Sequence, residues 1–383
     1  MTMKNLAFIL LLAVIPLTSC AQKGKVTSAL NYVEAEDIEK ALEAIKVAQE
    51  NEKTKDWYKT YFAKGRVYQV MYETGDKDMI EKAGDPLEIA YKSYQKAKEL
   101  DEKGRVEKQI DLYYQSLLND FLNQGIEAFN ESDFEQAYKS FIYAQKVGEE
   151  PIFQGGVDTS IIYNAGLAAY NGKMYEKAIE CFEEVGEMGY EEGTPYILIK
   201  NSYIAINDSA SAIEALQKGF EMFPQNEGIL IELINYYLMS GADDEALEYI
   251  EMAIERDPEN SSYWHAQGVL YDKKQVMDKA IESYNKAIEL DDTNFNSYYN
   301  LGALYFNQGV NMANKALEIQ DPDEYTAAVE KADEKFQESL PWLEKAHELN
   351  PDDVSTMETL KMLYYRLKMM DKHAEISEKL EKL

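Results

Sequence analysis

A period of 34 residues constrains the fold of this chain more than any other feature of its sequence. Units that share one pattern of small and aromatic residues begin at residues 159, 193, 227, 261 and 295. In the unit that begins at 261, Gly268 and Ala280 stand at positions 8 and 20, while Tyr271 and Tyr284 stand at positions 11 and 24. A sequence that repeats at such a period folds into an array of small units, each of which is stabilised by its neighbours.

Within each unit the spacing predicts two antiparallel helices. A small residue at positions 8 and 20 lets the helices approach closely, and aromatic residues at positions 11 and 24 fill the space between neighbouring units. Proline or aspartate near position 32 ends the second helix. The pattern resembles the tetratricopeptide repeat, and this resemblance implies an all-α, right-handed α-solenoid of about nine helix pairs. No segment has the alternating pattern of a β-strand.

The regularity of the repeat divides the chain into regions. Residues 158–383 form the regular array, which we expect to contain a helical-hairpin insertion at 311–338 and to end in polar capping helices. Residues 26–157 are predicted to form less regular helix pairs of the same kind, with about a dozen extra residues around Tyr72–Pro86. The sequence therefore predicts one continuous stack of helix pairs.

The first twenty residues have a different pattern, which is typical of export. Lys4 precedes the apolar run Leu6–Ile15, which is too short for a permanent membrane span. After this run, Leu17-Thr18-Ser19-Cys20 resembles the lipobox of bacterial lipoproteins. The resemblance implies that residues 1–19 are a signal peptide, that Cys20 is lipidated, and that residues 20–25 form a tether. A plain secretory signal cut near Ala21 is the alternative.

The residue after the lipidated cysteine bears on location. In the lipoproteins that this segment resembles, an aspartate at that position favours retention in the inner membrane, and here the position holds Ala21. We therefore expect the protein to be anchored in the outer membrane, facing the periplasm. No other segment is apolar over the length of a membrane span, so the membrane contact is expected to be the lipid alone.

Charge and composition exclude several functions. The formal net charge of −31 disfavours nucleic acid as a partner, because an acidic surface repels phosphate. Two cysteines and three widely separated histidines do not suggest a metal site. Paired carboxylates are frequent, but most of them fall in turns or near helix starts, where they cap helices. We therefore expect no metal, no cofactor and no catalytic group.

Candidate binding residues follow from the resemblance. In tetratricopeptide repeat proteins, positions 2, 5, 6, 9, 12 and 13 of each unit line the concave groove of the solenoid. Amides there can pair with the backbone of an extended peptide, and rings beside them add apolar contact. The amide candidates in this chain are Asn123, Asn164, Asn201, Asn235 and Asn300, and the ring candidates are Tyr163, His265, Tyr299, Phe129, Tyr170 and Phe306. The alternative is that rings such as Tyr170 and Phe306 only pack between units.

These features favour a lipid-anchored scaffold that binds protein or peptide segments, and the partner cannot be named from the sequence. The Lys and Arg clamp with which chaperone-binding members of the family hold a carboxylate is absent. A glycan-binding lipoprotein of the starch-utilisation type is the alternative, because the chain has 29 Tyr and 3 Trp residues. An enzyme that acts on the cell wall is a third possibility. Exposed, coplanar aromatic rings would favour the glycan, and a closed pocket with paired carboxylates would favour the enzyme.

Overall fold

The computed structural model describes residues 23–156 and 158–382. The predicted signal peptide, the lipidation residue Cys20 and the start of the tether lie outside these residues. The chain divides into two compact units, the first ending at Phe223 and the second running from Pro224. Across the described residues the regular structure is helical and includes no strand, which confirms the predicted fold class.

The first unit is a stack of helix pairs with one additional short helix, α4. Its helices are α1 (23–34), α2 (Ile38–Glu50), α3 (Tyr58–Glu73), α4 (Lys77–Ala83), α5 (Pro86–Leu100), α6 (Glu107–Asn130), α7 (Phe134–Gly148), α8 (Thr159–Asn171), α9 (Tyr175–Glu187), α10 (Pro195–Ala205) and α11 (Ser209–Met222). Short 3-10 turns at Pro151–Phe153 and Tyr190–Gly193 lie in the connections on either side of α8 and α9.

The second unit contains four helix pairs of the same kind. Its helices are α12 (Glu227–Ser240), α13 (Asp243–Arg256), α14 (Ser261–Lys273), α15 (Met277–Leu290), α16 (Phe295–Ala316), α17 (Pro322–Leu349), α18 (Val354–Arg366) and α19 (Met370–Leu380). The first helix of each regular pair starts at residue 159, 195, 227, 261 or 295, within two residues of the predicted repeat start. The described residues thus contain the nine expected pairs, and α4 lies outside the pairing.

A glycine at position 8 lets the pairs that carry it close tightly. A Cβ placed on Gly166 would lie 2.6 Å from the ring of Phe182, and one placed on Gly268 would lie 2.6 Å from the ring of Tyr284. The aromatic residue at position 24 therefore packs on the glycine of its own unit, whereas we had expected it to fill the space between units. Position 11 does reach a neighbouring pair, because the hydroxyl of Tyr271 in α14 donates to Glu251 in α13 at 3.0 Å.

Aspartates begin many of the helices, as the turn positions of the carboxylates predict. Asp37, Asp133 and Asp353 each accept a hydrogen bond from a backbone N–H in the first turn of the following helix. Asp321, which was expected to begin a helix, accepts from the N–H groups of Asp323 and Glu324. Such caps satisfy N–H groups that have no partner inside the helix.

The N-terminal pairs depart from the regular unit in two ways. Residues 23–25, which were expected to belong to the tether, are already helical. The reason is that Val26, Ala29 and Val33 lie on one buried face of α1, so the helix extends toward the N-terminus from that anchored stretch. The extra residues around Tyr72–Pro86 form α4, none of whose residues is buried.

The expected hairpin near the C-terminus forms by extension of a regular pair. α16 has 22 residues and α17 has 28, so the additional residues lengthen both helices. The lengthened pair remains tightly packed, because the rings of Phe306 and Phe336 lie 5.4 Å apart and Ser339 Oγ donates to the carbonyl of Gly302 at 2.7 Å. The final pair, α18 and α19, leaves Tyr365 exposed, so its surface is less polar than expected.

Candidate functional site

The predicted amides occupy two kinds of environment. Asn123, Asn164 and Asn235 are exposed on the first helices of their pairs, in α6, α8 and α12. Asn201 and Asn300 are half-buried. The exposed amides keep both donor and acceptor atoms accessible to a ligand, whereas the amides of Asn201 and Asn300 are partly covered by packing.

His265 belongs to the packing of the second unit. Its Nδ1 lies 2.9 Å from the hydroxyl of Ser297 in α16, and its ring centre lies 5.8 Å from that of Tyr284. Burial lowers the pKa of the imidazole below its usual value, so the ring is neutral at pH 7. His265 therefore links neighbouring first helices.

The predicted aromatic residues are half-buried in ring pairs. Tyr163 lies 4.8 Å from Tyr190 between ring centres, and Tyr170 lies 5.8 Å from Tyr175. The remaining pairs are Phe129 with Phe134, Tyr299 with Phe295, and Phe306 with Phe336. Part of each ring is covered by its own unit, so only part of the ring is accessible to a ligand. These residues therefore do not form the exposed, coplanar platform expected of a glycan site.

A group of exposed apolar side chains on the same helices was missed by the sequence analysis. In α12, Ile231, Asn235 and Met239 follow at intervals of four residues and all three are exposed, Met239 to 90%. In α14, Val269 is 38% exposed. We call Ile231, Asn235, Met239 and Val269 the α12–α14 stripe. The sequence signal was present, because these residues hold positions 5, 9, 13 and 9 of their units.

The two helices of the stripe are direct neighbours. The hydroxyl of Tyr263 in α14 donates to the Glu227 carboxylate in α12 at 3.0 Å. A contiguous patch of exposed apolar side chains marks a surface that contacts other molecules. The stripe, with an amide between two apolar residues, can accept the backbone and the apolar side chains of one extended segment.

A cavity of about 640 Å³ lies in the first unit, where the repeat is interrupted. One wall is formed by the end of α3 and by α4, with Tyr72 and Ile80 among the lining residues. The other wall is formed by Asp120, Gln124 and Glu127 of α6, which share one face of that helix. We call this the α4 cleft.

Asp120 is held in the α4 cleft by a buried polar network. The amide nitrogen of Gln69 donates to Asp120 Oδ2 at 3.3 Å and to the hydroxyl of Ser116 at 2.8 Å. The amide oxygen of Gln69 accepts from the hydroxyl of Tyr94 at 2.8 Å and from Arg66 Nη1 at 3.1 Å. Because Gln69 is fully buried, this network fixes the orientation of the Asp120 carboxylate.

Burial also changes the protonation of the α4 cleft. Loss of solvent raises the pKa of Asp120 to about 6, an effect that its hydrogen bond with Gln69 only partly opposes. The pKa of Tyr72 is raised to about 12, first by burial and then by neighbouring carboxylates. The cleft is therefore negatively charged at pH 7 and loses part of that charge on mild acidification.

Two features are absent from the described residues. Residues 23–156 and 158–382 include no group of three or more His, Cys, Asp or Glu side chains arranged to hold a metal ion. In the same part of the chain, no helix combines the length and the apolar character needed to cross a membrane.

Comparison with known proteins identifies the repeat. Residues 159–187 and 203–270 match models described as tetratricopeptide repeat, and residues 270–309 match one described as TPR repeat. These matches agree with the helix pairs and with the period of the sequence, and they support the assignment to tetratricopeptide repeat proteins. No curated protein matches the chain.

Three solved structures match part of the chain. A MamA protein shares 19% identity over 46% of this chain and 92% of its own, with a TM-score of 0.36. YrrB, described as a TPR protein with an unusual peptide-binding site, shares 21% identity over 46% of this chain and 88% of its own, with a TM-score of 0.34. A TPR repeats protein from Bacteroides fragilis shares 21% identity over 65% of this chain and 98% of its own, with a TM-score of 0.34.

Proposed function

We propose that this protein is a lipid-anchored scaffold of the bacterial cell envelope that binds protein or peptide segments and does not itself catalyse a reaction. The tetratricopeptide repeat matches support a protein-interaction role, because repeat arrays present a long ordered surface for other molecules. The observation that carries the proposal is the α12–α14 stripe.

The chemistry of the stripe suits an extended segment with apolar side chains. Ile231, Met239 and Val269 would cover apolar residues of the ligand, while Asn235 would pair with its backbone N–H or C=O groups. Methionine contributes a flexible and polarisable side chain, which accommodates ligands of different shape. The proposed surface therefore recognises an extended backbone that carries apolar side chains, and it has little preference for one particular sequence.

The proposed location rests on the N-terminal sequence. Cys20 and the apolar run before it support lipid attachment, and Ala21 supports the outer membrane. Several acyl chains on one cysteine would provide lasting attachment, because each buried methylene contributes about 0.8 kcal/mol. The helix pairs would then be held at the periplasmic surface of that membrane.

Metabolic labelling with a palmitate analogue tests the anchor. We expect labelling of the unmodified chain and complete loss of labelling in the Cys20→Ser variant, which should also leave the membrane fraction. Cys181→Ser is the matched control and should keep the label, because that thiol is buried in the fold. Labelling that survives Cys20→Ser would refute lipidation at this residue.

In-cell crosslinking followed by mass spectrometry tests the binding surface. We expect partner crosslinks near α12 and α14 that disappear in an Ile231→Glu/Met239→Glu variant. Leu317→Glu is the control, because Leu317 is 72% exposed at the turn between α16 and α17 and lies outside the stripe. Crosslinks unaffected by the double substitution, or equally reduced by Leu317→Glu, would remove the stripe from the proposal.

A further inference from the structure

The helix pair of α6 and α7 differs from the pairs that begin with α8 and α16 at one set of positions. In α8 and α16, the residues at positions 3, 7 and 10 of the unit are at most 6% exposed. These buried residues are Ile161, Ala165 and Ala168 in α8, and Ser297, Leu301 and Leu304 in α16. In α6 the same positions hold Asp120, Gln124 and Glu127, which line the α4 cleft. A face that is buried in α8 and α16 is polar and accessible here.

The inserted helix accounts for this opening. α4 follows α3 directly and supplies Lys77, Ile80 and Glu81 to the wall opposite α6. None of its residues is buried, so α4 borders the space without filling it. The additional residues that interrupt the repeat therefore build a cleft at a place where the regular repeat would build core.

The charge of the cleft is not balanced within the chain. Six carboxylates line it, those of Glu73, Glu81, Asp120, Glu127, Glu131 and Asp133, and Lys77 is the cationic lining residue. Among the described residues, these six carboxylates have no ion-pair partner. Carboxylates brought together in a partly desolvated space repel one another, and a cationic ligand relieves this repulsion.

The shape of the lining indicates what kind of cation fits. No group of three acidic side chains among the described residues is close enough to hold a metal ion, which argues against a compact divalent cation. Asp120 is oriented by Gln69, and the ring of Tyr72 lies in the same lining. An oriented carboxylate beside an aromatic ring suits the long side chain of lysine or arginine, whose stem can cover the ring while its charged end meets the carboxylate.

We propose that the α4 cleft binds a lysine or arginine side chain presented by an extended segment of a protein partner. This inference extends the proposed protein-binding role to a second site, and it does not depend on the α12–α14 stripe. Charge complementarity selects the ligand, while Tyr72 and Ile80 provide the apolar contact.

Fluorescence anisotropy with the full chain in detergent tests the proposal. The probe is a fluorescein-labelled peptide in which Lys and Arg alternate with Ser, and glutamine replaces every basic residue in the control peptide. We expect Asp120→Asn/Glu127→Gln to weaken binding of the basic peptide about tenfold, since one half-buried and one exposed charge contact are lost. The glutamine peptide should not bind.

A matched variant separates the cleft from the general acidity of the chain. Glu282→Gln/Glu334→Gln removes two exposed carboxylates and changes the net charge equally, and it should change the affinity less than about twofold. Equal weakening by both pairs would overturn the proposal, because binding would then follow net charge alone. Calcium binding in calorimetry that is lost in the cleft variant would also overturn it and assign the cleft to a metal ion.

A second variant guards against an effect on folding. If Asp120→Asn disturbs the Gln69 network, Glu127→Lys replaces it as the test, because it reverses one exposed charge in the cleft. Glu282→Lys, at another exposed position, is its control. Circular dichroism must show equal helix content for both. Under that condition, loss of basic-peptide binding in Glu127→Lys alone supports the cleft, and equal affinity in the two variants refutes it.

Discussion

The contact between Gly166 and Phe182 makes the packing of the repeat directly testable. A Cβ on Gly166 would meet three ring atoms of Phe182, at 2.6, 2.8 and 3.1 Å. The ring cannot retreat easily, because Phe182 is fully buried. We therefore expect Gly166→Ala to destabilise the first unit, although alanine is normally the better helix residue.

Two opposing contributions determine the size of this effect. Alanine in place of glycine stabilises a helix by up to about 1 kcal/mol. Overpacking a tight core costs about 1–3 kcal/mol, because side chains or backbone must shift. The net loss should be between zero and about 2 kcal/mol, and a matched glycine is needed to separate the two contributions.

Gly148 provides that match, because it is the last residue of α7 and a Cβ placed there would have no neighbour within 4 Å. Gly148→Ala should leave stability unchanged or raise it. The difference between the two variants, about 1–3 kcal/mol, then reports the clash alone. Hydrogen exchange of the α8 and α9 amides should accompany urea denaturation, since repeat arrays can unfold in more than one step.

A double variant tests whether Phe182 is the cause. Phe182→Leu should destabilise the unmodified chain, but it should cost less in the Gly166→Ala background, where it frees space for the new methyl group. Equal stability of Gly166→Ala and Gly148→Ala would refute the packing argument. So would purely additive effects of Gly166→Ala and Phe182→Leu.

Three further predictions concern ionisable groups. The folded-state pKa of Asp120 is raised from 3.8 to about 6, so the chain should lose stability as pH rises between these values. Asp120→Asn should remove this loss. In urea denaturation at pH 7, the variant should be more stable by about 1 kcal/mol, after allowance for solvent screening. Glu88 shows the opposite behaviour. Burial alone would raise its pKa, but hydrogen bonds from Lys139, Lys92 and Tyr143 lower it to about 2. Glu88→Gln should therefore reduce stability by at most about 3 kcal/mol at pH 7, and by progressively less as pH falls from 4.5 to 2. Burial raises the pKa of the Cys181 thiol to about 12, so maleimide should label it only after denaturation, and rapid labelling of the folded protein would contradict its burial.

The fold was largely predictable because its information is local and repeated. The starts of α8, α12, α14 and α16 agree with the period to the residue. The hairpin of α16 and α17 and the helix start after Asp321 also followed from sequence. The contact of the position 24 ring with the glycine of its own unit was not predicted, since spacing along a helix does not reveal every neighbour that a ring will contact.

The candidate site was less accessible to the same reasoning. Family positions pointed to Asn235, which the structure leaves exposed, but they did not distinguish rings that remain free from rings such as Tyr163 that pack in pairs. Exposure of Met239 depends on what its neighbours leave uncovered. The α4 cleft was missed because its lining comes from helices far apart in sequence.

The sequence by itself determined the period, the helix boundaries, the caps and the acidic charge, because each depends on residues within a few turns of one another. Only the tertiary structure decided which side chains the packed pairs leave accessible. Asp120 illustrates the difference. In the sequence it is one carboxylate among 70 acidic residues, whereas in the fold Gln69 orients it in a partly desolvated cleft beside an inserted helix.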